Sequence, residues 1–224
     1  MLGIIPARFL LYISVFVACF SFPQSVLAEV YYFIGTQNQQ FDHQPNWFPS
    51  YPGLEIGPND RVVLTDDVIL LDDVWEIFGV LEVRKGARFW GPECMVQVHP
   101  GGVVDIDGEM RFQELVNFGS WFIRKGAKTK VERFYTAPLA VTIVMSEAML
   151  VSKANLQNEG QFDNYGQCKV GKDFVNEGNF KLLKYSKLEV QGLMRLGDTS
   201  QLSRSSSSIL KCSRHQRKLQ PIPE

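Results

Sequence analysis

The chain is poor in the residues that build metal sites and disulfide frameworks. It has 224 residues, of which four are cysteine and three are histidine. Beyond residue 28 the cysteines are odd in number and widely spaced, which argues against a disulfide framework or a paired CxxC site. We expect buried structural thiols at these positions, which are Cys94, Cys168 and Cys212. The histidines share no short spacing either, so the sequence predicts no metal site and no cofactor.

Sequence motifs for common chemistries are missing as well. We find no nucleophile elbow, no phosphate-binding loop and no dinucleotide fingerprint. The nine-residue glycine-aspartate calcium repeat is absent, as are the aspartate motifs of polygalacturonases and the arginine-proline pattern of pectate lyases. The formal net charge is only −1. The composition therefore suits one globular core and requires neither a nucleic acid nor a membrane as partner.

Long apolar runs are confined to the N-terminus. Arg8 precedes an apolar segment over residues 9–20, and small residues end this region at Ala28. This order predicts a secretory signal peptide, residues 1–28, and a secreted, periplasmic or cell-surface location. An alternative is cleavage before Cys19, which would make the chain a lipoprotein. The run is too short to predict a stable membrane span.

Glycines recur along the rest of the chain with a period near twenty residues. They precede short strand-like stretches, and they are Gly79, Gly102, Gly119, Gly160 and Gly178. The tetrapeptide RKGA occurs twice, at residues 84–87 and 124–127, which is two periods apart. Several of the glycines follow an asparagine two positions earlier, and stacked asparagines can join neighbouring coils by hydrogen bonds.

A unit of this length, made of short strands and turns, cannot bury its own apolar face and must stack on its neighbours. No long stretch shows a helical period, which disfavours a leucine-rich repeat. The sequence therefore predicts an all-β fold, a single parallel β-helix of about six coils. RKGA is interpreted as an exposed corner at which Gly86 and Gly126 turn the chain.

The segments NWFPSYPGLEIGPNDRVVL and GVLEVRKGARF resemble the opening of bacterial secreted right-handed β-helix proteins, in the style of autotransporter passengers and haemagglutinin-like adhesins. The resemblance covers residues 45–197 and implies a right-handed coil. It departs from autotransporters because no translocator barrel pattern follows the repeats. A fragment of a larger adhesin is a further alternative. The predicted order is an N-terminal cap over residues 29–60, the β-helix over 61–198, and a tail over 199–224.

The tail is serine-rich and carries five basic residues against one acid. Such a composition predicts disorder. Binding to an anionic surface is one interpretation of the tail, and the product of a truncated or shifted reading frame is another.

Candidate binding residues come from exposed aromatics and from the RKGA corners. Outward aromatics stacked along a solenoid would form a platform for sugar rings, and we name Trp90, Trp121 and Tyr135. A cationic stripe would use the corner residues Arg84, Lys85, Arg124 and Lys125. Neighbouring residues on a strand point to opposite faces, so one ring of Phe89/Trp90 and one of Trp121/Phe122 should point inward.

Two functions follow as expectations. The first is a non-catalytic solenoid for adhesion, envelope structure or glycan binding, with a polysaccharide or cell-surface ligand as partner. The alternative is a carbohydrate-active enzyme, either a lyase or a hydrolase, that uses paired carboxylates or a calcium ion. Its candidate residues are Asp66, Asp67, Asp72 and Asp73, with Asp105 and Asp107 on a later coil.

Overall fold

A computed structural model describes residues 28–35, 37–71 and 73–215. Almost all of this chain is β-strand, because apolar and polar residues alternate with period two in short segments that are separated by turns. The strands are β1 (Val30–Phe33), β2 (Trp47–Phe48), β3 (Glu55–Ile56), β4 (Arg61–Leu64), β5 (Val68–Ile69), β6 (Val74–Ile77), β7 (Val80–Val83), β8 (Arg88–Val98), β9 (Val103–Ile106), β10 (Glu109–Asn117), β11 (Ser120–Ile123), β12 (Lys128–Val131), β13 (Arg133–Thr136), β14 (Val141–Val144), β15 (Met149–Ser152), β16 (Leu156–Asn158), β17 (Gln161–Asn164), β18 (Gln167–Val170), β19 (Phe174–Asn176), β20 (Asn179–Leu182), β21 (Lys187–Leu196), β22 (Gln201–Arg204) and β23 (Ile209–His215). One 3-10 helix, Gln44–Asn46, precedes β2.

The strands stack in parallel register into three faces, so the predicted β-helix is confirmed as a β-solenoid. Face 1 contains β1, β4, β7, β9, β11, β14, β17, β20 and β22. Face 2 contains β5, the first halves of β8, β10 and β21, and β12, β15, β18 and β23. Face 3 contains β3, β6, β13, β16, β19 and the second halves of β8, β10 and β21.

Face 1 counts eight coils from β4 to β22, whereas the sequence predicted about six. One of the missed coils begins at Val141, where Ala140 stands at the position that the corners before β7, β9, β11, β17 and β20 give to glycine. The other lies in the serine-rich segment. Disorder was the wrong prediction for residues 201–215, which form β22 and β23 on faces 1 and 2. Residues 216–224, like residues 1–27 of the predicted signal peptide, lie outside the described residues.

Inward side chains form ladders that run through all coils and fill the interior. On face 1, one inward ladder contains Leu81, Val104, Trp121 and their equivalents in register. Aromatic rings pack against one another in the core, as Trp75 does with Phe89 at 5.1 Å between ring centroids. This continuous apolar interior is the main source of stability, because burial of apolar surface contributes about 25 cal/mol per Å².

The region predicted to be the N-terminal cap, residues 29–60, joins the solenoid at face 1 through β1 and at face 3 through β3. Strand β1 pairs in parallel with β4 and antiparallel with β2. Phe33 and Phe41 pack edge-on against Trp47, whose indole Nε1 donates a hydrogen bond to the Phe41 carbonyl at 2.6 Å.

RKGA is a four-residue turn between faces 1 and 2, as predicted. The amide of Ala87 donates to the Arg84 carbonyl at 3.0 Å, and Ala127 donates to Arg124 at the same distance. The third residue has positive φ, +90° at Gly86 and +81° at Gly126, which glycine adopts without strain. The serine-rich segment turns at the same corner with the same hydrogen bond, since Ser208 is buried and its amide donates to the Ser205 carbonyl at 3.0 Å, but its third residue does not have positive φ.

The glycines with the twenty-residue period have a different role. They lie at the corner between faces 3 and 1, where each coil passes close to the backbone of the previous one. A Cβ at Gly119 would lie 2.3 Å from the Gly102 carbonyl oxygen, and one at Gly178 would lie 2.3 Å from that of Gly160. Close approach, and not positive φ, therefore explains this repeat.

Buried asparagines tie the coils together, which confirms the predicted role of these residues. Asn158 Nδ2 donates to Asn176 Oδ1 on the next coil at 2.7 Å. Asn117 Nδ2 donates forward to the Val141 carbonyl at 3.0 Å. These bonds satisfy the side-chain Nδ2 donors in an interior where an unpaired group would cost about 1–3 kcal/mol.

Candidate functional site

The three candidate aromatic residues lie in three different places. Trp90 is outward on face 2 and is 49% exposed, and Tyr135 is half-buried on the outer side of face 3. Trp121 has no exposed surface and packs against Phe112 in the core. Its prediction as an exposed binding residue is wrong: the alternation is as expected, but Phe122 is the outward member of that pair.

The basic pairs of the two RKGA turns are exposed, and ion pairs hold most of them. Arg84 lies 2.8 Å from Glu82, and Lys125 lies 3.0 Å from Glu147. Arg124 donates two hydrogen bonds to the Asp105 carboxylate, from Nε at 2.6 Å and from Nη2 at 2.7 Å. This hydrogen bonding raises the pKa of the Arg124 guanidinium. The corner cations are thus largely compensated and form a weak site for an anion.

A notch of about 550 Å³ separates the two RKGA turns. It forms because the coil between them turns with only Asp107 and Gly108, so its corner is recessed. Lys85, Lys125 and Lys128 line it together with Asp107, Glu109 and Glu147. The mixture of both signs gives the notch no selectivity for one charge.

The candidate catalytic aspartates of the enzyme hypothesis take part in structural contacts. Asp67 accepts from Nε of Arg88 at 3.0 and 3.1 Å, and this bonding lowers the pKa of its carboxyl group. Asp66 caps the amide of Asp67 at 2.7 Å, and Asp73 is exposed. Asp72 lies outside the described residues. Within the described part of the chain, no group of three or more His, Cys, Asp or Glu side chains is placed to hold a metal ion.

Four aromatic rings on four successive coils form a stripe, three of them at the corner between faces 3 and 1 and the fourth beside it on face 3. We call this the aromatic ribbon; it contains Phe78, His99, Phe118 and Tyr135. The first three each follow a face 3 strand, and their amides donate to Ile56, Ile77 and Val98 at 2.9, 2.9 and 2.7 Å. Their positions are therefore equivalent in stacked coils, which lie about 4.8 Å apart.

The rings of the ribbon contact one another in two pairs. Phe78 stacks on His99, with 3.7 Å between centroids and 10° between planes. Tyr135 meets Phe118 edge-on at 6.3 Å. Phe118 is 39% exposed, so the ribbon presents apolar surface to solvent where a core role would require burial.

Fixed polar groups flank the aromatic ribbon. The Tyr135 hydroxyl donates to Glu159 Oε2 at 3.0 Å, and Gln157 Nε2 donates to the other oxygen of that carboxylate at 2.6 Å. Burial and the bond to Glu159 raise the pKa of Tyr135, so its hydroxyl stays protonated. His99 Nε2 lies 3.3 Å from Glu76 Oε1. Apolar rings beside oriented carboxylates and amides can stack on a sugar ring and accept bonds from its hydroxyls.

Of the ribbon, the sequence analysis named Tyr135 as a binding residue and missed the other three. Phe78 and Phe118 precede the periodic glycines Gly79 and Gly119. These two Phe-Gly pairs could have predicted that the phenylalanines occupy equivalent positions in different coils. His99 was missed because its loop adds Pro100 and Gly101 before the glycine at 102, which hides the equivalence.

Comparison with family models, with curated proteins and with solved structures gives no match for this chain. The described part of the chain contains no helix with the length and hydropathy of a membrane crossing.

Proposed function

We propose that this chain is an exported, non-catalytic β-solenoid that binds a glycan along the aromatic ribbon, at the cell envelope or outside it. The observation that carries the proposal is the placement of two contacting pairs of rings on four successive coils, beside a carboxylate that is oriented by Tyr135 and Gln157. The N-terminal pattern of residues 1–28 supports export. The resemblance to secreted β-helix adhesins supports a role at a cell surface.

The ribbon matches the periodicity of a polysaccharide, because both are linear repeats. Four coils extend about 14 Å along the stack, a length suited to a short oligosaccharide segment. Stacking on rings is tolerant of sugar identity, and the flanking Glu76, Gln97, Gln157 and Glu159 would select the orientation of hydroxyl groups.

The test uses the purified chain and a panel of neutral polysaccharides, namely cellulose, chitin and xylan, and measures retained protein and released reducing ends together. Phe118→Ala combined with Tyr135→Ala should lower retention about tenfold or more, because each ring stack contributes on the order of 1 kcal/mol. The matched control is Tyr165→Ala with Tyr185→Ala, which removes two exposed rings elsewhere, 45% and 76% exposed.

Retention that falls only in the Phe118/Tyr135 variant supports the proposal. Equal retention by both variants would reject the ribbon as the binding surface. Release of reducing ends would replace the proposal with the enzyme hypothesis and direct mutagenesis to Asp66, Asp67 and Asp73.

A further inference from the structure

Outward side chains of face 2 are predominantly cationic. Seven basic residues stand on this face against the acids Glu109 and Glu189, and they are Arg88, Arg111, Lys128, Lys130, Lys169, Lys187 and Lys211. The outward side of face 1 carries two basic and three acidic residues, and that of face 3 carries three of each when Arg214, which pairs with Leu193, is included. The charge is thus segregated onto one face of a chain whose net charge is only −1.

Three of these cations face an acid in the parallel register without forming a close ion pair: Lys128 faces Glu109, and Lys169 and Lys211 both face Glu189. Lys128, Lys169 and Lys211 make no ion pair with any residue that the structure describes. Arg111 and Lys130 lie directly opposite each other in the parallel register, although like charges in that position destabilise a sheet. Arg111 also covers the exposed ring of Trp90 at 5.1 Å. An arrangement that costs stability in the free chain would be relieved by a bound anion.

The shape of this face suits a single extended polymer. Its two columns of outward side chains lie about 7 Å apart along the strands, and successive coils add about 4.8 Å each. The result is a straight strip, about 29 Å long from Trp90 to Lys211 over six coil steps, that is too narrow for a nucleic acid duplex.

We propose that face 2 binds a linear polyuronate, an anionic polysaccharide with one carboxylate per sugar, along the axis of the solenoid. Charge complementarity and the strip geometry select this ligand. Single-stranded nucleic acid fits less well, because that binding mode uses several aromatic rings interleaved with the cations. Trp90 is the only aromatic residue among the outward side chains of face 2 in the described strands. The site is separate from the aromatic ribbon, which lies at the opposite corner.

The experiment measures binding of alginate to the purified chain over a range of salt concentrations. Lys128→Gln combined with Lys169→Gln should weaken binding about tenfold and reduce its salt dependence, because two charge contacts are lost. The matched control, Lys181→Gln with Arg195→Gln, changes the net charge equally on faces 1 and 3 and should remain within about twofold of the parent chain. Circular dichroism checks that each variant is folded.

Three results would overturn the proposal. Equal weakening in both variants would show that only net charge matters. Binding of neutral dextran as tight as that of alginate would remove the role of charge. Binding of a single-stranded DNA oligonucleotide more tightly than alginate, with the same loss in the face 2 variant, would assign the face to nucleic acid. The Phe118→Ala/Tyr135→Ala variant should bind alginate unchanged, which separates this site from the ribbon.

Discussion

At the scale of single residues, the corners contain the residues whose backbone adopts a positive φ. Two proline-containing turns occupy the corner between faces 3 and 1, at residues 99–102 and 137–140. Each has a residue of positive φ at its third position, Gly101 at +87° and Leu139 at +68°. Glycine accepts this conformation freely, whereas a leucine side chain is strained by about 1–2 kcal/mol. Packing does not offset the strain at Leu139, because its side chain is 99% exposed.

Replacing this leucine tests that reading of the turn. Leu139→Gly should raise the free energy of unfolding by about 0.5–1 kcal/mol, since relief of strain exceeds the entropy that glycine adds to the unfolded chain. Leu139→Ala keeps the Cβ and the strain, and we expect no gain. Urea denaturation of both variants measures the difference. Equal stability of the two variants would contradict the assignment of strain to this position.

The ion pair of Asp67 with Arg88 predicts a pH dependence of stability. Hydrogen bonding to Arg88 lowers the pKa of Asp67 in the folded chain, so its contribution is present above the unfolded pKa. That contribution is lost as pH falls through the folded pKa. Because the pair is exposed, Asp67→Asn should cost less than about 1 kcal/mol near neutral pH and a smaller amount at about pH 2.

Denaturation midpoints at the two pH values measure this change. Asp73→Asn is the matched control, because Asp73 is exposed and makes no ion pair within the part of the chain that the structure describes. A constant penalty for Asp67→Asn at both pH values would show that the lost interaction is not ionic.

At the scale of strands, alternation decides which side chains form the core. Strand β11 places Trp121 and Ile123 inside, and Ser120 and Phe122 outside. The sequence predicted this alternation but not its phase, because tryptophan and phenylalanine suit both environments. The phase follows from the register with Val104 and Thr142, whose side chains are also buried. A pairing partner is information that one strand does not contain.

Neighbouring aromatics on β11 provide a direct measurement of that phase. Trp121→Ala should lower the free energy of unfolding by about 3–5 kcal/mol, because it removes a fully buried ring. Phe122→Ala on the outer side should cost less than about 1.5 kcal/mol, since the ring is only partly covered. Thermal unfolding of the two variants gives the comparison. Similar losses of stability would mean that the assignment of Trp121 to the inside of β11 and Phe122 to the outside is wrong.

The extent of the repeat was harder to predict than its existence. Gly79, Gly102 and Gly119 revealed the period because the corner leaves no room for a Cβ. The coil that starts at Val141 escaped this signal, since its turn ends at Ala140 where the turn of the same length at residues 99–102 ends at a glycine. The serine-rich segment resembled disorder by composition, although Ser205 and Ser208 close a turn with the same backbone hydrogen bond as RKGA. The aromatic ribbon and the cationic face depend on register across coils, and single strands do not report it.

At the scale of the whole molecule, the two proposed binding surfaces lie on different sides of the solenoid. The aromatic ribbon follows one corner, and the cationic face lies between the other two corners, while the apolar core runs between them through every coil. Each coil contacts mainly its neighbours, so stability should be a sum of coil and interface contributions. The binding surfaces extend along the same axis, and their length is set by the number of coils.

Removal of one complete coil tests this additive architecture. Residues 158–160 and 176–178 are both Asn-Glu-Gly, so deletion of residues 161–178 preserves the local sequence at the junction. It brings Val141 into register with Asn179, and Leu150 with Leu188. We expect a folded chain with an unchanged β-sheet circular dichroism spectrum and a single cooperative melt at lower temperature.

Deletion of residues 161–169 is the control, because it removes about half a coil. Nine is an odd number, and an odd shift turns inward side chains outward in the strand that follows. The half-coil variant should therefore lose its cooperative melt, although it removes fewer residues. If the two deletions melted alike, the stability of the molecule would not depend on coil register, and neither binding surface would be maintained by the stacking described above.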